Sequence, residues 1–453
     1  MPRQSSRRQF VKQTAAISAA VWVGGSVKAD DKSANSRVRY ACIGVGGKGA
    51  SDSGDCAKHG DIVAICDIDD TSIEKRASDP AFAKAAQYFD YRQMLEEMGD
   101  KIDAVTVSTP DHTHAPAAAM VMKMGKACFT QKPLTHSIGE ARRLQDIAKE
   151  SGVPTMMGNQ GTANSGLREA AAILKGKHLG QIKEVHVFTN RPVWPQGISR
   201  PEEEEAPPFI HWDEWLGPAA ERGFSEFYHP FKWRGWWDFG TGALGDMACH
   251  TFNMPFMGVD LYDPTAVQAW TTGHDGYGYP QKSKIEFAFP ANDWRGPVAV
   301  WWYDGGNLPD EGLLKGYGFK EDKSPRGTIV VCEKGTLYSW ADYGQDFVIL
   351  DGDGKEMPKP KVEFETSPGH FQEWHQTIIG DRKQATSNFA TYAGRLTETI
   401  LLGNLAVWAA KEPDTAGKKI EWDAKNLVAT NAPEVMSIVN KSYRGNWGDS
   451  LKA

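Results

Sequence analysis

A glycine-rich turn after a short apolar run limits this chain to few folds. The apolar residues 40–43 lead into the spacing G-x-G-x-x-G, formed by Gly44, Gly46 and Gly49, with Gly47 as a fourth glycine. In a dinucleotide site, such glycines allow a tight turn, close approach of the backbone to pyrophosphate and close helix–strand packing. The segment therefore predicts a strand, a phosphate-binding turn and a helix whose N-terminal amides face the phosphates.

An acidic residue follows at the spacing of a βαβ unit. The apolar run 61–66 ends on Asp67, which lies 18 residues after Gly49. An acid at this place binds the ribose hydroxyls of NAD and repels the 2′-phosphate of NADP. We therefore predict NAD as the cofactor, while a solvated aspartate at a strand end is the alternative.

The length of 453 residues favours two domains and a C-terminal tail. Apolar strands alternate with helical stretches over residues 36–160, which predicts an α/β Rossmann domain with a parallel, doubly wound sheet; one of these helices is expected over residues 71–86. Residues 161–430 contain stretches of alternating polarity, which predict an α+β domain with a large, mostly antiparallel open sheet. Residues 431–453 are expected to pack across both domains.

The first 29 residues have the features of a twin-arginine export signal. Arg7 and Arg8 are followed by the mildly apolar run 15–25 and by a small-x-small cleavage site at residues 27–29. This predicts a periplasmic protein with no membrane anchor after cleavage. Because the periplasm offers no free NAD pool, an exported NAD protein is expected to hold its cofactor tightly.

Charge and cysteine content exclude several classes of protein. The net charge is −7, and the signal segment carries five basic residues and no acid, so the remaining chain is still more acidic. An acidic chain with no basic tract is a poor candidate for binding nucleic acid or anionic membranes. The six cysteines show no C-x-x-C spacing. Cys42, Cys66 and Cys128 fall within or at the end of apolar runs and are interpreted as core residues rather than as disulfides, and no metal site is predicted.

Two motifs follow predicted strands of the first domain, at the sheet edge where such folds bind ligands. The residues Thr109, Pro110 and His114 belong to the motif STPDHTHA and are predicted to contact the cofactor. Lys132 follows Gln131 at the next strand end. Its ammonium group can contact the cofactor and anchor a developing alkoxide, although a solvated lysine is the ordinary alternative.

The second domain contains an acid and a histidine four residues apart. A glycine-rich run, residues 240–245, leads into a helix predicted over residues 244–256, which places Asp246 and His250 on one face. Such a pair can bind a diol and move its proton, because histidine titrates near neutrality. Nearby, the sugar-binding candidates are Trp194, His229, Arg234 and Trp237. Core packing is the alternative for these tryptophans.

The motifs G-x-G-x-x-G, STPDHTHA, QKPL and MGNQ, in this order, resemble the glucose–fructose oxidoreductase/inositol dehydrogenase (Gfo/Idh/MocA) family. The resemblance implies that Lys132 lies beside the nicotinamide, that Asp246 binds a substrate hydroxyl and that His250 is the general base and acid. It also implies a homo-oligomer formed through the open sheet. The chain departs from the family's Glu-Lys-Pro motif, since Gln131 replaces the glutamate.

These observations favour an exported NAD-dependent oxidoreductase that acts on a secondary hydroxyl of a sugar or glycoside, with C3 as one position. The first alternative is a redox-neutral glycoside hydrolase or lyase that passes through a keto intermediate. The second is a sugar-binding protein that holds NAD without catalysis, for which Gln131 is the only sequence support. A metal site on Asp246 and His250 is a minor alternative.

Overall fold

The computed structural model describes residues 37–320 and 323–452. The predicted signal segment, residues 1–29, lies outside these described residues, so it stays a prediction. No helix within the described ranges combines the length and the apolar character that crossing a bilayer requires. The described strands belong to two sheets of different topology.

The first sheet has six strands in the order β3-β2-β1-β4-β5-β6, and all its pairings are parallel. This is the strand order of a dinucleotide-binding Rossmann fold, in which ligands lie at the carboxyl edge where the order reverses. That point falls between β1 and β4. The strands are β1 Val38–Ile43, β2 Gly60–Cys66, β3 Ala86–Tyr88, β4 Ala104–Val107, β5 Ala127–Thr130 and β6 Thr155–Met157.

The second sheet has ten strands in the order β14-β13-β12-β11-β7-β10-β9-β8-β15-β16. Its pairings are antiparallel except for β7 with β10. The predicted fold class is therefore confirmed. The strands are β7 Ile182–Phe188, β8 Ala266–Thr271, β9 Ser283–Phe289, β10 Val298–Tyr303, β11 Gly327–Cys332, β12 Thr336–Trp340, β13 Asp346–Leu350, β14 Glu356–Met357, β15 Ile420–Asp423 and β16 Val428–Ala429.

Twelve α-helices are present in the described part of the chain, and a π-helical turn, Phe389–Ala393, precedes the longest one. The α-helices are α1 Gly47–His59, α2 Asp70–Ala77, α3 Tyr91–Met98, α4 Asp111–Lys123, α5 Ile138–Ser151, α6 Ser165–Lys175, α7 Trp212–Leu216, α8 Gly242–Thr251, α9 Asn253–Val259, α10 His370–Ile379, α11 Gly394–Ala409 and α12 Met436–Val439.

Two helix predictions were wrong in extent. The helix expected over residues 71–86 ends at Ala77, and the short strand β3 occupies the last of those residues. Asp79 precedes Pro80, and a residue before proline disfavours helical backbone. The helix expected over residues 244–256 is divided into α8 and α9 at Phe252.

The C-terminal tail contacts elements from both parts of the chain. Tyr443 donates a hydrogen bond to Glu140 of α5 (3.0 Å), and Arg444 donates one to the Gly217 carbonyl after α7 (3.0 Å). Arg143 of α5 also donates to the carbonyl of Leu451. The predicted domain boundaries at residues 160 and 430 stay predictions.

The packing of α1 against β1 and β4 depends on Gly49. A Cβ atom there would lie 2.1 Å from the Gly44 carbonyl oxygen and 3.2 Å from the Ser108 Cβ. We expect Gly49→Ala to lower the free energy of unfolding by ~1–3 kcal/mol, the usual cost of overpacking. Urea unfolding of the wild type and the variant measures this difference in unfolding free energy. The control is Gly54→Ala on α1, whose Cβ would meet only the end of the Arg76 side chain, at 3.3 Å. Equal losses in both variants would contradict the packing role.

Candidate active site

A cavity of about 560 Å³ lies at the carboxyl edge of the first sheet. Its size falls within the ~300–1,000 Å³ of ligand sites. One wall comes from the glycine turn and the ends of β2, β4 and β5, and the other comes from residues 214–234. The predicted site residues that line it are Gly44, Gly46, Gly47, Asp67, Thr109, Pro110, Lys132, His229 and Arg234.

The glycine turn has the geometry of a phosphate cradle. Gly44 has φ +78, and a Cβ there would lie 2.4 Å from the Ser108 carbonyl oxygen. Gly46 precedes α1, and a Cβ there would lie 2.9 Å from the Ser72 hydroxyl oxygen. Bare backbone amides at a helix N-terminus bind phosphate. The turn therefore fits the pyrophosphate of a dinucleotide.

Asp67 lies at the end of β2, beside that turn. Its Oδ2 accepts hydrogen bonds from the amides of Val45 (2.8 Å) and Gly46 (3.1 Å). Burial raises the pKa of Asp67, while these amide bonds lower it. A half-buried carboxyl group at the cavity wall, next to the cradle, fits the ribose end of NAD.

His114 does not line the cavity, and the prediction that it contacts the cofactor is corrected here. Its side chain is buried, and its two ring nitrogens lie 2.8 Å from the carbonyl oxygens of Thr109 and Pro133. Burial lowers its pKa to about 4. His114 therefore joins the loop after β4 to the loop after β5, which both reach the cavity.

Lys132 and Asp246 form an ion pair that connects the first sheet to α8. The Lys132 Nζ lies 2.6 Å from Asp246 Oδ1 and 2.8 Å from the Asp246 carbonyl oxygen. Arg234 Nε donates to the same Oδ1 at 3.2 Å. Burial would raise the pKa of Asp246, but the charges of Lys132 and Arg234 prevail and lower it to about 2. Asp246 is therefore ionised near neutrality and orients the two cations.

His250 lies one helical turn after Asp246 and is only 4% exposed; neither side chain lines the cavity itself, and Lys132 connects them to it. Its Nδ1 is buried and has no hydrogen-bond partner among the described residues. Burial and the nearby Lys132 charge hold its pKa well below the usual value, although Asp246 acts in the opposite direction. The imidazole is therefore neutral at pH 7 and can accept a proton. Its ring packs edge-on against Tyr343, with centroids 4.9 Å apart.

Gln131, which replaces the family glutamate, has a carboxylate partner elsewhere. Its Nε2 donates to Asp52 Oδ2 at 2.8 Å, and its Oε1 accepts from the Lys132 amide at 3.3 Å. Asp52 is 2% exposed and also accepts from Ser108 (2.8 Å) and Lys48 (2.7 Å). A buried negative charge is thus present on α1 behind the lysine, and Gln131 connects the two.

The four predicted sugar-binding residues take different positions. Arg234 reaches Asp246, and His229 lies on the cavity wall against Trp215. Trp194 is 5% exposed, and its ring centroid lies 5.8 Å from the Arg234 guanidinium carbon.

Trp237 does not line the cavity, which corrects its prediction as a sugar contact. It stacks on Tyr279 with centroids 3.7 Å apart and donates to the Gly278 carbonyl. Trp237 is therefore a core residue.

Several cavity residues escaped the sequence analysis. Asp111 begins α4 within the motif STPDHTHA, so its position in that motif was an available signal. Trp215, Phe231 and Trp447 line the cavity from distant segments, and no local pattern marks them. Among the described residues, no group of three or more histidine, cysteine or acidic side chains is arranged to hold a metal ion.

This geometry defines a class of protein: a Rossmann nucleotide site lined by a lysine that pairs with an aspartate, one helical turn before a neutral histidine, as in nicotinamide-dependent oxidoreductases. Residues 38–159 match the oxidoreductase family with an NAD-binding Rossmann fold, and residues 173–288 match the C-terminal alpha/beta domain of an oxidoreductase family. Together these matches cover more than half of the chain. The chain therefore belongs to the Gfo/Idh/MocA oxidoreductase family, which confirms the resemblance.

Curated relatives match only a part of the chain. A "Glycosyl hydrolase family 109 protein" of Shewanella pealeana is 33% identical over 127 residues, which cover 26% of this chain and 28% of the relative. A family 109 protein of Akkermansia muciniphila is 34% identical over 131 residues, 27% of each chain. The match thus spans little more than a quarter of these relatives.

Solved structures resemble the fold over most of the chain. The WlbA dehydrogenase of Chromobacterium violaceum, in complex with NADH and UDP-GlcNAcA, has a TM-score of 0.59 at 16% identity and covers 85% of this chain and 96% of its own. An inositol dehydrogenase homologue of Azotobacter vinelandii, in complex with NADH and myo-inositol, has a TM-score of 0.54 at 16% identity. The match covers 86% of this chain and 98% of the homologue.

The Gln131–Asp52 pair gives a testable prediction. Gln131→Glu would bring two buried carboxylates together, and we expect a loss of ~1–3 kcal/mol in unfolding free energy at pH 7. The loss should shrink as the pH falls, because one of the two carboxyl groups then takes up a proton. The double variant Gln131→Glu/Asp52→Asn restores a carboxylate–amide pair and should recover stability.

Urea unfolding of the wild type, both single variants and the double variant gives the coupling energy between positions 131 and 52. We expect a coupling of at least ~1 kcal/mol. Additive losses in the double variant would show that the amide and the carboxylate do not act as a pair.

Proposed function

We propose that this protein is an NAD-dependent oxidoreductase that acts on a secondary hydroxyl of a sugar or glycoside. The observation that carries the proposal is the Lys132–Asp246 ion pair at the nucleotide cavity, one helical turn from the neutral His250. The names of the matched relatives and structural neighbours refer to glycosyl hydrolases, a UDP-sugar and inositol, which favours a carbohydrate substrate. The nicotinamide would accept the hydride from the carbinol carbon.

Each side chain has a defined part in that reaction. Lys132 would hold the hydroxyl oxygen and stabilise its developing negative charge. His250 would take the hydroxyl proton, since its imidazole is neutral and its Nδ1 lacks a partner among the described residues. Asp246 would bind a neighbouring hydroxyl and keep the ammonium group of Lys132 in place. Oxidation at C3 of a glycoside is the form we favour.

We further propose that NAD is preferred to NADP and is held tightly. Asp67 lies at the end of β2 beside the glycine turn, and its carboxylate would repel a 2′-phosphate that approached it. Residues 207–216, called here the strap, cross over the loop after β2. His211 donates its amide to the Ile68 carbonyl (2.8 Å), and Asp70 donates its amide to the Phe209 carbonyl (3.0 Å).

The side chains of the strap strengthen this closure. The His211 ring stacks on Phe89, with centroids 4.0 Å apart and 3° between the planes, and its Nε2 lies 2.9 Å from Asp70 Oδ1. Just beyond the strap backbone contacts, Trp215 lines the cavity. A nucleotide in the cavity would therefore leave only after these contacts open.

The second candidate function is a redox-neutral glycoside hydrolase or lyase. Oxidation next to the anomeric region would acidify the adjacent C–H bond, the leaving group would be eliminated, and the hydride would return to the sugar. The strap favours this alternative, since a retained nucleotide suits a cycle that restores it. A sugar-binding protein without catalysis is less well supported, because the Gln131 amide is engaged by Asp52 and Lys132 keeps its ion pair.

We also propose that the protein is exported to the periplasm and that it forms a homo-oligomer. The twin-arginine segment supports export, and the absence of a basic tract argues against nucleic acid as a partner. The open face of the second sheet carries two partly exposed tryptophans, Trp270 and Trp301, with centroids 6.0 Å apart. An exposed aromatic sheet face suits contact with a second copy of the chain.

The oxidoreductase proposal predicts a spectroscopic signal. Purified protein should release NAD on denaturation, and incubation with a panel of glycosides should produce bound NADH, measured by ultraviolet absorbance. His250→Asn should slow this reduction by ~10²–10⁴-fold with unchanged nucleotide content, because general-base catalysis is lost. The exposed His178→Asn serves as the control.

Three results would contradict it. An unchanged rate in His250→Asn would show that His250 is not the base. If no glycoside produced NADH, the protein would not be an oxidoreductase of glycosides. Purified protein without nucleotide would contradict the proposed NAD cofactor. Aglycone release without net NADH would select the redox-neutral form.

The strap predicts slow exchange of the nucleotide. We expect His211→Ala to speed NAD release about tenfold, since it removes a hydrogen bond to a charged group and an aromatic stack. Trapping of the released NAD after dilution measures the rate, with His178→Ala as the control. A rate equal to that of the wild type would show that these side chains do not retain the nucleotide.

A further inference from the structure

The carboxyl group of Asp111 lies in the cavity wall and has no part in the oxidation described above. Asp111 is the first residue of α4 and is only 3% exposed. It lines the same cavity as Lys132 and Arg234. The group is thus buried within the protein yet adjacent to the space where a sugar would meet the nicotinamide.

Asp111 is held by the segment that carries the other site residues. The Thr241 hydroxyl donates to Asp111 Oδ2 at 2.6 Å, and Thr241 immediately precedes α8, on which Asp246 and His250 lie. No other hydrogen bond or ion pair to the Asp111 side chain occurs among the described residues. One carboxyl oxygen is therefore fixed, and the other remains available to a ligand in the cavity.

The charges around Asp111 leave it able to exchange a proton. Burial raises the pKa of Asp111 to about 7, against the Thr241 hydrogen bond and the positive charges of Arg234 and Lys132, while Asp246 acts in the same direction as burial. Both cations are already engaged by Asp246. Near neutrality Asp111 is thus present in both its protonated and its ionised form, which suits an acid/base group.

Oxidation of an alcohol requires a single proton acceptor, and His250 supplies it. Asp246 is committed to its two cations and has a pKa of about 2, so it does not exchange protons near pH 7. Asp111 is a second group that can do so, and it lines the cavity with Lys132, which exceeds the needs of a simple dehydrogenase. Elimination from a keto sugar needs such a second group, since it removes a proton from carbon.

We propose that Asp111 is a catalytic residue that removes the proton from the carbon next to the keto group in redox-neutral cleavage of a glycoside. The assignment rests on the proposed sugar oxidation, with NAD as the oxidant. The Asp111 carboxylate takes the proton, the C–H electron pair becomes a C=C bond, and the bond to the leaving oxygen breaks. The leaving oxygen takes a proton from a water molecule, the resulting hydroxide adds to the carbon that lost the leaving group, and the Asp111 carboxyl returns its proton to the carbon from which it came.

The test combines isotope exchange with infrared spectroscopy on NAD-loaded protein. p-Nitrophenyl glycosides are incubated in D₂O, and three quantities are followed: bound NADH, nitrophenol release and deuterium on the carbon next to the oxidised centre. In Asp111→Asn, the amide oxygen can still accept from Thr241. We expect deuterium uptake and nitrophenol release to fall by at least ~100-fold, while NADH formation changes by only a few-fold.

The infrared readout does not depend on turnover. A protonated carboxyl band should titrate near neutral pH, shift when a glycoside binds and be absent from Asp111→Asn. The control is Asp304→Asn in the second sheet, where burial raises the pKa of another carboxyl group to about 6 and Ser283 donates to it at 2.7 Å. This control should remove a different band and leave the exchange rate unchanged.

The outcomes separate the two proposals. Exchange at the wild-type rate in Asp111→Asn, or a band that ignores bound glycoside, overturns the role of Asp111 and leaves the oxidoreductase standing. Equal losses of NADH formation and exchange also overturn it, since they indicate a general defect of the site. If no glycoside reduces NAD in the wild type, the proposed function fails, and the proton-transfer role of Asp111 fails with it.

Discussion

The buried ion pair between Lys132 and Asp246 is the contact on which the rest of the site depends. It joins the end of β5 to α8, and the two side chains are only 15% and 12% exposed. Taking both charges out of water is costly, and a buried pair withstands that cost only where further hydrogen bonds satisfy it. Arg234 and the Asp246 carbonyl oxygen supply those bonds. The same arrangement fixes the ammonium group beside the cavity.

The aromatic residues around this pair act mainly through Arg234. Its guanidinium carbon lies 4.0 Å from the centroid of Trp233 and 5.2 Å from that of Phe231. Stacking on aromatic faces suits a guanidinium group, which is planar and weakly hydrated. Trp233 and Phe231 therefore hold the arginine that holds the aspartate, and Trp194, a sugar-binding candidate from the sequence, lies 5.8 Å from the same guanidinium carbon. Their contribution to binding would be indirect.

The parts of the site that depend on local pattern were predictable from the sequence. The glycine spacing located the turn, and a separation of four residues placed Asp246 and His250 on one helix face. The Rossmann sheet and the antiparallel sheet followed from apolar runs and alternation. The strand β3 was missed because it is only three residues long and none of its residues is fully buried.

Contacts between distant residues were not predictable. The strap reaches the loop after β2 across some 140 positions of sequence, and backbone pairing of this kind carries no side-chain signature. Trp237 and His114 were assigned to ligand contact because of their neighbours in sequence. In the structure Trp237 packs in the core, and the His114 ring lies between two loop carbonyl oxygens. Residue type and spacing do not determine such orientations.

The hydrogen bond from Gln131 to Asp52 explains why a glutamine suits the position where the family has a glutamate. Two ionised carboxyl groups at that distance would repel each other in a region that excludes water, so only one of the two positions can carry the charge. In this chain the charge lies on α1, where Lys48 and Ser108 also bind it. Lys132 thus has the Asp52 carboxylate behind its loop, with Gln131 hydrogen-bonded between the two. The glutamine therefore leaves a carboxylate within one hydrogen bond of the residue that precedes the lysine.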